Sequence, residues 1–199
     1  MNKQSCLLLR NKRPLVLNAD QLRSLTRHSS IVNSLKQNEK RITKNEIYII
    51  LDNVLDTYNI GSIFRLADAV AAKKIYLCGG TEIPPNHRIK KASINTTEVV
   101  EWEYKQTALE ALSDIRHQIS DIQVVAVEQS SKSIPYDIFR YTLPICLVVG
   151  HESDGVSKDV LNLADAIVEL PMFGINKSLN VMVSLGIVLY EVIEKVANR

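Results

Sequence analysis

The sequence predicts an α/β protein with a mainly parallel sheet flanked by helices. Short apolar runs rich in β-branched residues recur along the chain, and helical patterns separate them. The runs at residues 47–51 and 144–149 are apolar throughout, as expected of strands buried on both faces of a parallel sheet. A chain of 199 residues with 46% apolar side chains is long enough for one domain with a full core, with or without an appendage.

The predicted elements alternate between strand and helix from residue 47 to residue 196. A polar loop over residues 52–59 follows the first strand, and the loop after the second strand contains Pro84 and Pro85. The predicted strands are residues 47–51, 74–78, 99–104, 122–127, 144–149 and 166–170. The predicted helices in this region are residues 61–72, 107–119, 158–164 and 178–196.

Positive charge is concentrated before the predicted sheet. Residues 1–45 carry ten Lys or Arg and two Asp or Glu, whereas the rest of the chain is net negative. We expect a basic extension with a helix over residues 21–37, followed by one domain over residues 46–199. Such an extension indicates a polyanion partner, RNA or DNA, and the alternative is a solvated segment with no partner. The basic run at residues 87–91, predicted as a loop, has the same two interpretations.

Several protein classes are disfavoured by the sequence. Cys6, Cys78 and Cys146 are far apart and form no Cys-x-x-Cys pair or Cys/His cluster, so we expect neither a structural zinc nor any other metal site. No apolar run is long enough to cross a bilayer, and the first residues are too short for a signal-peptide core, so a cytoplasmic protein is expected. The dinucleotide fingerprint and the P-loop motif are both absent.

The first of three polar motifs follows the first predicted strand and spans residues 59–65. Asn59 is expected just before the helix, and Gly61 allows a backbone or a ligand to approach closely. Arg65 lies among apolar helical residues, where burying it is costly unless a phosphate or carboxylate meets it. The alternative is a structural ion pair between Arg65 and Asp68 or Glu152.

The second motif, residues 150–155, directly follows the most apolar strand. Gly150 is expected to leave room for a flat ligand, and Glu152 to accept hydrogen bonds or meet a cation. The alternative is a polar turn in which Asp154 and Gly155 serve only the chain reversal. His151 is expected to be an exposed loop residue rather than a base.

The third motif, residues 170–181, combines a strand end, a tight loop and a helix start. Ser178 either caps the closing helix or faces a ligand. Because the carboxyl ends of parallel strands meet at one edge of a sheet, the three motifs are predicted to form one site there.

The three motifs together resemble the SpoU/TrmH family of the SPOUT superfamily, which are S-adenosylmethionine-dependent RNA 2′-O-methyltransferases. Residues 59–65 match the family's N-x-G/A-S/A-I-x-R, residues 150–155 match G-x-E-x-x-G, and residues 170–181 match [IL]-P-M-x-G-x(2–3)-S-L-N-V. The resemblance covers residues 46–196. It implies a SPOUT-type domain with a C-terminal trefoil knot, S-adenosylmethionine as methyl donor, and a homodimer that completes the active site.

The resemblance also implies roles for individual residues. Arg65 would bind the phosphate beside the target ribose and stabilise the developing alkoxide, because a guanidinium stays protonated and is a poor base. Asn59 would fix Arg65, and Glu152, Ser178 and Asn180 would orient donor and substrate. The donor would be held near Gly150, Leu170, Met172 and Leu179. Contacts to the RNA are expected from Lys12, Arg13, Lys40, Arg41, Lys44 and Arg88.

Within the family, tRNA is expected as substrate more than rRNA. A non-catalytic RNA-binding protein of the same fold, or an enzyme that methylates a base instead of a ribose, would carry similar motifs. The sequence departs from the family near Ala71 and Asn95, where many relatives have glycine. These departures concern loop shape and substrate choice rather than the proposed catalytic side chains.

Overall fold

The computed structural model describes residues 45–197 of the chain. The predicted extension over residues 1–45, with its helix at residues 21–37, therefore lies outside the described residues, apart from residue 45. So do five of the residues expected to contact RNA, which are Lys12, Arg13, Lys40, Arg41 and Lys44.

Seven parallel strands form one sheet in the order β3-β2-β1-β6-β4-β7-β5, which confirms the predicted fold class. The two most apolar strands occupy the middle of the sheet, where helices cover both faces. The prediction missed β5, because its two residues are too short to show an apolar pattern. The strands are β1 Asn45–Asp52, β2 Ala72–Cys78, β3 Trp102–Lys105, β4 Gln123–Val127, β5 Ile134–Pro135, β6 Ile145–Gly150 and β7 Ala166–Glu169.

Helices lie on both faces of the sheet and enclose two apolar clusters. One cluster packs α1 and α5 against the sheet and includes Phe64 and Leu189, and the other packs α3 and α4 and includes Leu112 and Val160. The α-helices are α1 Thr57–Ala69, α2 His87–Ser93, α3 Ala108–Gln118, α4 Lys158–Leu163 and α5 Val181–Ala197, and a short 3₁₀ turn spans Thr96–Glu98.

Two helix starts differ from the prediction, and both differences follow from capping. Asp56 accepts a hydrogen bond from the Tyr58 amide at 2.7 Å and caps α1, so Asn59 lies inside the first turns of the helix rather than before it. Asn180, not Ser178, caps α5, since its side-chain oxygen accepts from the amides of Met182 and Val183 at 2.9 and 3.4 Å.

The basic run that was predicted as a loop is the short helix α2. Asn86 caps it by accepting from the amides of the next turn, and Ile89 and Ser93 form its buried side. This helix packs closely on α1 at Gly61, where a Cβ would lie 2.6 Å from the Ala92 side chain and 2.7 Å from the Ile89 carbonyl oxygen. The close approach expected at Gly61 is therefore made by the backbone of α2.

Ala71 and Asn95, where the resemblance leads us to expect glycine in many relatives, both adopt a backbone conformation that favours glycine. Ala71 has φ of 50° and Asn95 has φ of 67°. The two loops thus keep the left-handed turn that a glycine provides, although the residues there are different.

Candidate active site

The three motifs meet at the carboxyl edge of the sheet, as predicted. The first follows β1, the second follows β6 and the third follows β7, and β1 and β6 are hydrogen-bonded neighbours whose last residues, Asp52 and Gly150, lie opposite each other. The parallel direction of every strand places all these ends on one side.

A chain of hydrogen bonds joins one side chain from each motif. The Asn59 amide nitrogen donates to Glu152 Oε1 at 3.0 Å, and the Asn180 amide nitrogen donates to Asn59 Oδ1 at 2.9 Å. Asn59 is 5% exposed, and protein partners satisfy both polar atoms of its side chain, as expected of a buried amide. We call Glu152, Asn59 and Asn180 the linked group.

Glu152 holds the start of α1 as well as Asn59. Its carboxylate accepts from the backbone amides of Leu55 at 3.1 Å and Asp56 at 3.0 Å. Burial raises the pKa of the Glu152 carboxyl, but hydrogen bonds from the Asn59 side chain and the Asp56 and Leu55 amides outweigh burial, so the pKa lies below its ordinary value. The ionised form is therefore the one that fixes the first motif on the second.

Arg65 is exposed on α1, and within residues 45–197 it forms no ion pair with Asp68, Glu152 or another carboxylate. The alternative of a structural ion pair with either of those two carboxylates is therefore wrong. Ser178 is also exposed and has no hydrogen-bond partner in the described part of the chain. We call Arg65 and Ser178 the open group.

The loop of the second motif folds on itself. The backbone groups of His151 and Gly155 exchange two hydrogen bonds of 3.1 and 2.9 Å, and His151 Nδ1 accepts from the amides of Ser153 and Asp154. A Cβ on Gly150 would lie 2.1 Å from the Gly155 carbonyl carbon. The space at Gly150, expected to admit a flat ligand, is thus filled by the loop itself. His151 is partly buried and serves as an acceptor for its own loop.

A cavity of about 400 Å³ opens beside these loops. It is lined by residues from the second and third motifs, with residues from the ends of β4 and β7. All four residues expected to hold the donor lie on its wall, together with three expected to orient donor and substrate: Gly150, Leu170, Met172, Leu179, Glu152, Ser178 and Asn180.

Sequence reasoning missed Glu128 and Gln129, which follow β4 and also line the cavity. They belong to none of the three motifs, and their only sequence signal is their position directly after a predicted strand. Conversely, Asn59, Arg65 and Arg88 do not line the cavity: Asn59 is hydrogen-bonded to Glu152 and Asn180, and the two arginines are exposed on α1 and α2.

Residues 45–197 contain neither a membrane-spanning helix nor a metal-binding cluster. None of their helices combines the length and the apolar character that a membrane crossing needs. The same residues bring together no group of three His, Cys, Asp or Glu side chains placed to hold a metal ion.

Comparisons with known proteins agree with the motifs. The model of the SpoU rRNA Methylase family matches residues 46–190. The chain is 32% identical over 158 residues to a tRNA (guanosine(18)-2′-O)-methyltransferase of Aquifex aeolicus, covering 77% of this chain and 70% of that protein.

Two solved structures are similar in fold. A TrmH/SpoU tRNA modifying enzyme of A. aeolicus superposes with a TM-score of 0.73 at 29% identity and covers 84% of each chain. The SpoU methyltransferase AviRb of Streptomyces viridochromogenes, solved in complex with AdoMet, gives a TM-score of 0.72 at 22% identity over 81% of this chain and 65% of that one.

Proposed function

This chain belongs to the SpoU rRNA methylase family, and we propose that it methylates the ribose 2′-hydroxyl of a nucleotide in tRNA. It is an S-adenosylmethionine-dependent RNA 2′-O-methyltransferase, as its family and its relatives indicate. The choice of tRNA rests on the similarity of this chain to the A. aeolicus tRNA enzyme. The observation that carries the proposal is the chain of hydrogen bonds that joins all three motifs beside one cavity.

The cavity fits the methyl donor. A volume of about 400 Å³ lies within the range of small-molecule sites. Its wall combines the apolar side chains of Leu170, Met172 and Leu179 with the backbone of the Gly150 loop, a lining suited to an adenosine and a methionine tail. These residues would hold the donor, and when bound, its sulfonium supplies an activated methyl group.

Arg65 is proposed to act on the RNA rather than on the donor. Its guanidinium is a cation, is exposed and makes no ion pair in the described part of the chain. It is therefore free to bind a phosphate in bidentate fashion and to stabilise negative charge that develops on the attacking oxygen. Ser178, exposed on the cavity wall, is proposed to orient the ribose.

The linked group is proposed to position the site rather than to exchange protons. Glu152, Asn59 and Asn180 hold the loop of the second motif, the first turns of α1 and the start of α5 in fixed relation. Their hydrogen bonds to one another and to backbone amides use most of their polar atoms before any substrate arrives. This arrangement supports preorganisation, since donor and hydroxyl must be aligned for an in-line transfer.

A homodimer is proposed, supported by apolar side chains left on the surface near the site. Phe173 and Ile175 are 95% and 101% exposed, and Val183, Ile187 and Tyr190 lie on one exposed face of α5. Such a patch on a protein surface marks an interface, and a second copy would cover it. Ile187→Glu is expected to give monomers in analytical ultracentrifugation, whereas Leu109→Glu, at an exposed position of α3 on the other face of the sheet, keeps the dimer.

Contacts to the RNA are proposed from the basic extension and from α2. Arg88 and Lys91 lie one turn apart on α2, are exposed, and form no ion pair with the described residues. Arg88→Ala should weaken tRNA binding and lower its salt dependence, with Lys132→Ala as the matched control. Deleting residues 1–44, which include Lys12, Arg13, Lys40, Arg41 and Lys44 and leave β1 intact, should lower the salt dependence further, and an unchanged slope would assign these residues no RNA contact.

The cytoplasm is the proposed location, supported by two thiols, Cys78 and Cys146, that are buried and unpaired. The trefoil knot stays a prediction.

The deciding experiment is methylation of unmodified tRNA and rRNA with labelled S-adenosylmethionine, followed by mass spectrometry of the nucleosides. The proposal expects a ribose-methylated nucleoside from tRNA. Product from rRNA alone would support an rRNA 2′-O-methyltransferase, and a methylated base would support base methylation. Binding of RNA without donor binding or product would support a non-catalytic RNA-binding protein.

A further inference from the structure

Glu128, outside the three motifs, is hydrogen-bonded to the loop over residues 150–156, which forms one wall of the cavity. Its Oε2 accepts from the Val156 amide at 2.9 Å, and its Oε1 accepts from the Gln129 amide at 2.8 Å. Its own amide donates to the Val168 carbonyl of β7 at 3.0 Å. A rigid connection thus runs from β7 through the end of β4 to the end of the loop.

Glu128 and the second glycine of the motif occupy complementary space. A Cβ on Gly155 would lie 2.1 Å from Glu128 Oε2, and Gly155 has φ of +71°, a conformation that side chains rarely adopt. A side chain at this position would displace the Glu128 carboxylate and also strain the turn. The positive φ already favours glycine here, and the contact with Glu128 adds a second restriction that involves a residue outside the motif.

Two carboxylates from strand ends hold consecutive amides of this loop. Glu128, directly after β4, accepts from the Val156 amide, and Asp52 of β1 accepts from the amide of the next residue, Ser157, at 2.9 Å. Asp52 is buried and does not line the cavity, whereas Glu128 does. The two contacts are alike in chemistry, but only Glu128 is placed so that its loss changes the cavity wall directly.

We propose that Glu128 is a positioning residue for the methyl donor, which holds the loop over residues 150–156 in the form that binds the donor. The proposal rests on the function proposed above. Because the loop also carries Glu152, movement at its Val156 end would disturb both the cavity wall and the linked group. The donor site is the first to be affected, since Glu128 itself stands on the wall.

Glu128→Gln tests the proposal, because both carboxylate oxygens accept from amides and one would become a donor facing another donor. The dissociation constant for S-adenosylmethionine, measured by calorimetry on the full chain, should rise about tenfold or more. The KM for tRNA should stay within about twofold of wild type. Glu110→Gln is the matched control, because Glu110 also accepts a backbone amide, from Gln106, but lies away from the cavity and should leave both constants unchanged.

A double-mutant cycle between Gly155 and Glu128 tests the same role even if Glu128→Gln is poorly stable. Gly155→Ala should weaken donor binding strongly in the wild-type background, because the new Cβ meets the Glu128 carboxylate. In the Glu128→Ala background the same change should weaken binding several-fold less, since only the strain of the positive φ remains.

The possible results distinguish a failure of the positioning role of Glu128 from a failure of the proposed function. An unchanged donor affinity in Glu128→Gln together with a lower melting temperature would overturn the positioning role and leave a purely structural one. Additive effects in the cycle would also overturn it. If the wild-type chain binds no S-adenosylmethionine, the proposed function fails first, and that result is independent of any Glu128 variant.

Discussion

The linked group and the open group come from the same three motifs, yet the protein uses their polar atoms differently. Glu152, Asn59 and Asn180 are bonded to one another and to backbone amides. Arg65 and Ser178 are exposed and have no such partner in the described part of the chain. The same motifs therefore contain two kinds of side chain: those whose hydrogen bonds hold the motifs together, and those whose polar atoms remain free of protein partners in the described residues.

The largest expected effect comes from the open group. Arg65→Ala should lower the rate of methyl transfer by about 10²–10³-fold, as expected when one group that stabilises developing charge is removed. Donor affinity and stability should change little, because Arg65 holds no other residue of the described chain in place. Single-turnover rates and calorimetry measure the two quantities, and Arg140→Ala is the control for loss of an exposed arginine. A parallel fall in donor affinity would make Arg65 a donor-binding residue instead.

Asn59→Ala should show the opposite pattern. The change removes two hydrogen bonds of the buried Asn59 side chain, and each such bond contributes about 0.5–1.5 kcal/mol, or up to about 3 kcal/mol when its partner is charged, as Glu152 is. The free energy of unfolding, measured with urea, should therefore fall by about 2–3 kcal/mol. Donor affinity should fall as well, because two motifs lose their fixed relation. An unchanged urea midpoint would contradict the structural role assigned to Asn59.

The third motif contains one member of each group, only two residues apart. Asn180→Ala removes the cap of α5 and a bond to Asn59, so the free energy of unfolding should fall by about 1–2 kcal/mol. Ser178→Ala should stay within about 0.5 kcal/mol of wild type, while the rate of transfer falls. If Ser178→Ala were the more destabilising change, Ser178 rather than Asn180 would be the cap.

The smallest expected effect is a pH dependence within the linked group. The pKa of Glu152 is lower in the folded protein than its ordinary value of 4.5, so its bonds contribute stability above that value. This contribution is lost as the pH falls through the folded pKa, which lies below 4.5. Urea unfolding between about pH 6 and pH 3 should therefore show a steeper loss for wild type than for Glu152→Gln. Equal slopes would mean that Glu152 is not held in its ionised form.

The strands could be predicted because burial on both faces of a parallel sheet leaves a simple apolar signature in the sequence. The helix starts were harder, since they depend on which polar side chain reaches back to the backbone. Asp56 and Asn180 make those bonds, while Asn59 and Ser178 are equally good capping residue types by sequence. The helix α2 was missed because four basic or imidazole side chains and two prolines obscured a buried side of only Ile89 and Ser93.

The meeting of the three motifs at one edge could also be predicted, because the carboxyl ends of parallel strands lie on one side of a sheet whatever their sequence. The hydrogen bonds between the motifs could not be predicted from the sequence. Asn59 lies 93 residues from Glu152 and 121 residues from Asn180, and no local pattern states which partner each amide will choose. Glu128 escaped detection for a related reason: its role is visible only through Gly155, which the fold brings beside it.

The long sequence separations within the linked group affect the order in which contacts form during folding. During synthesis β1 and α1, which contains Asn59, emerge early. Asn180, which caps α5 and donates to Asn59, follows only 121 residues after Asn59. Contacts between such distant residues form late, because the intervening chain must first be ordered. A nascent chain can thus assemble most of its sheet before Asn180 joins the three motifs beside the cavity.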